Sequence, residues 1–164
     1  MSKTTIIRRF GSKEGLFNQL MAESTVDLRE EMRGCLARAD DPPATIEAFV
    51  EIAYRYAADE ANRCLLTLAI AERGRFPELA STAMAHALET FTPISDYLAR
   101  LMDRALIERD NPVDAAFELI AMANHGFRML IGDAAYRDGP GRTRAIAARF
   151  LRGRGYGQGD PSHR

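Results

Sequence analysis

Apolar positions along this chain recur every three to four residues, and alternating β-branched runs bounded by turn residues are absent. That pattern predicts an all-α protein. The clearest stripe follows Ser12: Leu16, Phe17, Leu20, Met21, Ser24, Leu28, Met32, Cys35 and Leu36 share one face, which predicts a helix of about 25 residues, about 37 Å long. Upstream, residues 2–10 read as a short helix with Ser2 as N-cap, closed by Gly11 in a left-handed conformation, after which Ser12 caps the long helix.

Asp40-Asp41-Pro42-Pro43 opens a further helix whose inward stripe is Ile46, Phe49, Val50, Ala53 and Ala57, with Glu47, Glu51 and Arg55 outward. Asp59 starts another, ending near Gly74. Helical periodicity then runs from Pro77 to Ile107, and Pro93 within it, preceded by Thr92 as a cap, predicts a break. Asn111-Pro112-Val113-Asp114 combines an N-cap, a proline at the first helical position and a first-turn acid, and Gly132 is the natural stop. A last helix is predicted from Arg142 to about Leu151, followed by a polar, glycine-rich tail expected to be disordered.

Composition is that of an ordinary globular chain of 164 residues, 46% hydrophobic and 27% charged. Charge alters the picture, because the net value of −1 conceals an uneven distribution. Residues 1–13 carry Lys3, Arg8, Arg9 and Lys13 without an acid, and residues 141–164 carry six arginines against Asp160, so the body between them is net −10. Cys35 and Cys64 lie far apart, which gives no support to a disulfide framework or a cysteine-rich zinc site. The absence of an apolar signal region and of any membrane-length apolar run leads us to expect a cytoplasmic chain that does not span a membrane.

The segment SKTTIIRRFGSKEGLF, residues 2–17, resembles the recognition helix, turn and start of the following helix in the TetR family, whose usual pattern is SKxTLYxxFxxKxxLF. The physical sense of the match is that a short helix with one basic face can enter the major groove, about 12 Å wide, while Ile6 and Phe10 anchor its other face. The resemblance implies that Lys3, Thr4, Thr5 and Arg8 face bases or nearby backbone, that Lys13 meets phosphate at the next helix N-terminus, and that Arg9 is a further phosphate contact. The bland alternative, a solvated basic N-terminus, does not account for Phe10, Gly11, Lys13, Leu16 and Phe17 standing in register. Two departures stand out. Ile7 replaces the usual tyrosine, and the two helices that precede the recognition helix in the family are missing from the sequence, as a misassigned start, a truncated gene model or a shortened protein would each produce.

Residues 61–154, including LAIAERGRFPELA, resemble the C-terminal domain of many family members. The resemblance therefore implies a TetR-like helical bundle. Residues 1–17 would be a partial helix-turn-helix, residues 18–152 a ligand-binding and dimerisation domain, and residues 153–164 the disordered tail. The helix predicted from Pro112 to Ile131 is apolar almost all round, so it needs two buried faces. A homodimer formed with the final helix satisfies that need, and so does burial at the centre of a monomer. A small-molecule pocket in the family lies between the linker helix and the dimer helices. Phe49, Tyr54, Met84, Phe91, Met122, Asn124 and His125 are the candidate lining residues, although such side chains are also what cores are made of. By resemblance, an unknown small-molecule effector swings the helix that begins at Ser12 and so releases operator DNA, provided the missing helices are supplied.

Catalysis finds little to rest on. The histidines are His86, His125 and His163, and no GxSxG, phosphate-cradling glycine loop or HExxH motif occurs. His86 and Glu89 stand one turn apart, but a di-iron bundle needs two Glu-x-x-His pairs and two more glutamates. Catalytic residues, metal ligands and cofactors are therefore all expected to be none. The remaining alternative is a stand-alone dimeric module that binds a small molecule without touching DNA.

Overall fold

The computed structural model describes residues 10–36, 40–124 and 141–157, with the side chains of Lys13 and Glu14 outside that description. These residues form α1 (Lys13–Leu36), α2 (Pro42–Ala58), α3 (Glu60–Glu72), α4 (Pro77–Asp103), α5 (Pro112–Asn124) and α6 (Arg142–Gly153), and no strand occurs among them. The protein is all-α. The continuation of the α5 pattern to Ile131 and the stop at Gly132 fall outside the described residues.

Most helix boundaries follow from local chemistry. Gly11 takes a φ of 75°, and Ser12 Oγ then accepts from the Gly15 amide at 3.0 Å to open α1. Gly15 is dictated by space, since a Cβ there would lie 2.1 Å from the Phe10 carbonyl oxygen. Asp41 caps α2 through the Ala44 amide at 3.2 Å. Asp59 serves two helices at once: its amide donates to the Arg55 and Tyr56 carbonyls at the end of α2, while its carboxylate accepts from the Asn62 amide at 3.0 Å to open α3. Asn111 caps α5 by accepting from the Val113 amide at 2.9 Å.

Pro93 does not break α4, contrary to the sequence expectation. The helix runs 27 residues through it, and the Thr92 hydroxyl donates back to the Leu88 carbonyl at 2.9 Å instead of capping a new helix. Proline forfeits one intrahelical hydrogen bond. Thr90, Ile94, Tyr97, Leu98 and Leu101 lie buried along one continuous face across the site, and that burial outweighs the loss. The helix then ends earlier than expected, at Asp103. Ala105 adopts a φ of 54°, with the Leu106 amide bonded to the Leu101 carbonyl and the Ala105 amide to Met102, a Schellman turn that carries alanine where glycine is usual.

Two apolar clusters result. The larger unites Leu28, Met32 and Leu36 of α1 with Ile46, Phe49 and Val50 of α2, Ile94, Leu98 and Leu101 of α4, Leu119 of α5 and Phe150 of α6. The smaller consists of Phe17, Ala69 and Leu79, with Met21, Leu65, Phe76 and Ala83 packed on it, and joins the start of α1 to α3 and the start of α4.

Residues 153–157, expected within a disordered tail, are held in place. The Arg154 side chain is 11% exposed, pairs with Asp110 at 3.0 Å and with Glu118, and lies over the Phe150 ring. Its carbonyl accepts from the Glu108 amide at 2.8 Å.

Phe49→Ala is expected to cost about 3–5 kcal/mol of stability, and Met84→Ala, at a site 55% exposed, less than about 0.5, in paired urea melts. Ala105→Gly should stabilise by roughly 1 kcal/mol by relieving the left-handed alanine, and a lowered urea midpoint would contradict this. The Asn111 amide and then Arg154 hold the Asp110 carboxyl below its ordinary value. A depressed carboxyl contributes stability that is present above its unfolded pKa and lost as pH falls through the folded one. Asp110→Asn should therefore flatten the acid limb of the stability profile, and an unchanged limb would show the pairing to be inconsequential.

Candidate functional site

Where the two apolar clusters fail to meet, the bundle leaves a cavity of about 170 Å³. Five helices wall it: Met21 and Thr25 from α1, Tyr56 and Ala57 from α2, Asn62, Arg63, Leu65 and Leu66 from α3, Ala83, His86, Ala87, Thr90 and Phe91 from α4, and Ile120 and Asn124 from α5. Its position follows from the packing, because Met21, Leu65 and Ala83 also pack on the small cluster while Tyr56 and Phe91 also pack on the large one. Phe91 is braced by Phe117, the rings meeting edge to face at 6.1 Å between centroids.

The walls are mostly apolar, and the polar atoms set among them are short of partners. Asn62 Oδ1, Arg63 Nε, Thr90 Oγ1 and Asn124 Oδ1 are all buried, and none finds a hydrogen-bond partner among the described residues. Buried polar groups in native proteins are ordinarily satisfied, and four of the five orphaned side-chain atoms among the described residues belong to residues that line this cavity. The Asn62 amide is oriented by its Nδ2, which donates to the Tyr56 carbonyl at 3.2 Å and leaves Oδ1 as an unused acceptor. The Thr25 hydroxyl donates to the Met21 and Ala22 carbonyls at 3.1 Å. Burial raises the Tyr56 phenol above its ordinary value, with the Ser24 hydroxyl partly opposing, so the ring presents a neutral hydroxyl.

Of the residues singled out from the sequence, the cavity brings together Phe91 and Asn124. Phe49 is fully buried in the large cluster. Tyr54 is half-buried beneath the Arg142 guanidinium, which stands 5.9 Å from the ring centroid. Met84 projects outward from α4, and Met122 lies beside Arg149, Phe150 and Arg154, its carbonyl accepting from Arg142 at 3.3 Å. His125, Lys3, Thr4, Thr5, Arg8 and Arg9 lie outside the described residues, and Lys13 opens α1 with its side chain not described.

Thr25, Tyr56, Asn62, Arg63 and Thr90 line the cavity without having been singled out, and so does His86, which the sequence raised only as a metal ligand. A signal for two of them exists in the sequence. Thr25 stands four residues after Met21 and three before Leu28, next to the Ser24 that the sequence places on the α1 stripe, and Thr90 interrupts the run from Ala83 to Ile94 on α4, so each is a polar residue at a helical spacing shared with apolar ones. Among the described residues no group of three or more potential metal ligands occurs, and Glu89, beside His86 in sequence, reaches towards Arg29 at 3.9 Å. The arrangement is suited to holding a small molecule.

Residues 44–132 match the TetR-type family model described as the AefR-like transcriptional repressor, C-terminal domain. Among solved structures, the chain is similar to a TetR-family protein from Mesorhizobium loti, with 20% identity, a TM-score of 0.67, and coverage of 93% of this chain and 78% of the other. It is also similar to PfmR, a TetR family transcriptional regulator from Thermus thermophilus, with 19% identity, a TM-score of 0.60, and coverage of 93% and 80%. At these identities the likeness is one of fold. A comparison with curated proteins found no match.

Replacing Thr90 by valine keeps the β-branched shape and removes an orphaned hydroxyl. Without ligand, Thr90→Val is expected to stabilise the protein by about 1 kcal/mol in urea melts, and a loss of similar size would show that the hydroxyl is bonded in solution.

Proposed function

The chain belongs to the TetR family of transcriptional regulators, and from that premise we propose that it is a homodimeric repressor, released from operator DNA when a small molecule occupies the cavity between α1, α3 and α4. The observation that carries this reading is that α1 both walls the cavity, through Met21 and Thr25, and leads directly from the segment bearing Lys3, Thr4, Thr5, Arg8, Arg9 and Lys13. The far half of α1 is fixed in the large cluster by Leu28, Met32 and Leu36, whereas its near half rests on the small one. An occupant that displaces Met21 by about 1 Å would move the start of a rigid α1 by about 2 Å, given 1.5 Å of rise per residue and a pivot near Met32. Two recognition helices in a dimer must match the spacing of two half-sites, so a small displacement is enough to weaken binding.

Dimerisation is supported by the outer faces of α5 and α6, where Val113, Ala121, Ala145 and Ala148 are exposed and small enough for helix pairs to approach closely. Light scattering after gel filtration should give about twice 18.2 kDa, with the double variant Ala121→Arg, Ala148→Arg shifted to the single-chain mass. A single-chain mass for the wild type at all concentrations would remove the dimer. Among the described residues no helix is long and apolar enough to cross a membrane, and a chromosome-binding role would place the protein in the cytoplasm.

The repressor reading is tested by selecting duplexes from a random pool with this chain and with a version extended upstream in frame, at low salt with a salt titration. Specific binding that loses about one unit of salt slope on substitution of Lys3 or Lys13 by alanine is expected of the DNA-binding form. If neither chain selects a sequence, DNA recognition falls and a ligand-binding dimer remains.

A further inference from the structure

The polar groups around the cavity are unequal, and Arg63 is the unusual one. It lines the cavity beside Asn62, Asn124, Thr25 and Thr90, its Nε is buried without a hydrogen-bond partner, and it forms no ion pair among the described residues. Guanidinium groups stay charged, and a partly desolvated cation without a counter-ion is a poor arrangement for a protein to keep. An anion beside Arg63 would supply the missing partner, through the paired N–H groups that suit a carboxylate.

Size and shape narrow the occupant further. A dry engineered cavity of about 150 Å³ accepts benzene, so a cavity of about 170 Å³ has room for a body of about one ring. Phe91, Tyr56 and His86 supply aromatic wall and Met21 a thioether, which suit an aromatic ring over a long flexible chain. Asn62 Oδ1 and Asn124 Oδ1 are unused acceptors on lining residues, each with almost no exposed surface of its own, so a small turn of either side chain would offer an acceptor to a donor on the ligand.

We propose that the cavity selects a single-ring aromatic carboxylate that carries a hydroxyl, its anionic group paired with Arg63 and its hydroxyl donating to an asparagine carbonyl. This rests on the reading of the cavity as the effector site and adds the chemical class to it.

The probes are 4-hydroxybenzoate and 4-hydroxyphenylacetate, each set against the matching neutral amide and the matching acid without the hydroxyl. Binding is measured by calorimetry and by saturation-transfer NMR on the full chain, with Arg63→Gln and with the cavity-filling Ala87→Trp, both checked for wild-type helical content. The hydroxylated acids should bind about tenfold or more tightly than their amides, and Arg63→Gln should erase that difference while leaving amide binding in place. Acids without the hydroxyl should bind more weakly, and Ala87→Trp should abolish binding of every probe. Acids and amides binding equally well, or an acid preference that survives Arg63→Gln, would overturn the carboxylate assignment and leave the effector site standing. Equal binding with and without the hydroxyl would remove the donor requirement. If no probe saturates the wild type, the assignment falls and the effector-site reading stands, whereas binding that survives Ala87→Trp would place the probes outside the cavity and remove both.

Discussion

Leu28, Met32 and Leu36 lock the far half of α1 into the same apolar cluster that Phe49 and Leu98 fill, and the behaviour of the near half depends on that anchorage. Met32 has no exposed surface at all, so this part of the helix cannot shift without opening the core around it. Beyond Thr25 the support changes. Phe17 and Met21 lean on Ala69, Leu79 and a few half-buried neighbours, and the space left between the two supports is the cavity. A helix of 24 residues held firmly at one end and lightly at the other is a lever, and the cavity lies where the hold weakens.

How much of this could be read in the sequence depended on whether the deciding physics was local. The α1 stripe, the left-handed Gly11, the Asp41 and Asn111 caps and the inward face of α2 follow from residues within a turn or two of one another, and the chain displays them openly. Pro93 and Ala105 misled for the opposite reason. Local rules break a helix at proline and reserve the left-handed turn for glycine, yet burial of Ile94, Leu98 and Leu101 on one face, and of Ile107 just beyond the turn, overrides both. Arg154 escaped notice because its partners Asp110 and Glu118 are 44 and 36 residues away, and a glycine-rich context conceals a contact of that kind.

The cavity was legible only in part, and the reason is instructive. Large apolar and aromatic side chains drew attention as candidate walls, but Phe49 is the kind of residue that fills a core completely, and Met84 the kind that a surface tolerates. What distinguishes the lining is the polar residue at a position the helical period assigns to the interior, as Thr25 and Thr90 show. Polarity inside a stripe carries a free-energy cost that selection must have a reason to keep, whereas an apolar residue inside a stripe needs no reason. Asn62 and Arg63 are harder to find, since at the start of a short helix either could face solvent, and their burial depends on how α3 is turned by the shared cap at Asp59.

A ligand can shift a conformational equilibrium only by as much as it prefers one state over the other. To weaken DNA binding a hundredfold, the two positions of α1 must differ in ligand affinity by about 2.7 kcal/mol, which is within the usual range for coupling between sites. The small cluster is matched to that scale: re-exposing a single fully buried apolar side chain costs roughly 1.5–3 kcal/mol, and Phe17 is the one large α1 side chain buried there. Were the near half of α1 tied into the large cluster as its far half is, moving it would disrupt several such side chains together and exceed what one small molecule could offset. On the proposed function, the division of the core would make a cavity of modest size an effective control point, because the energy of occupying it and the energy of tilting the helix are of the same order.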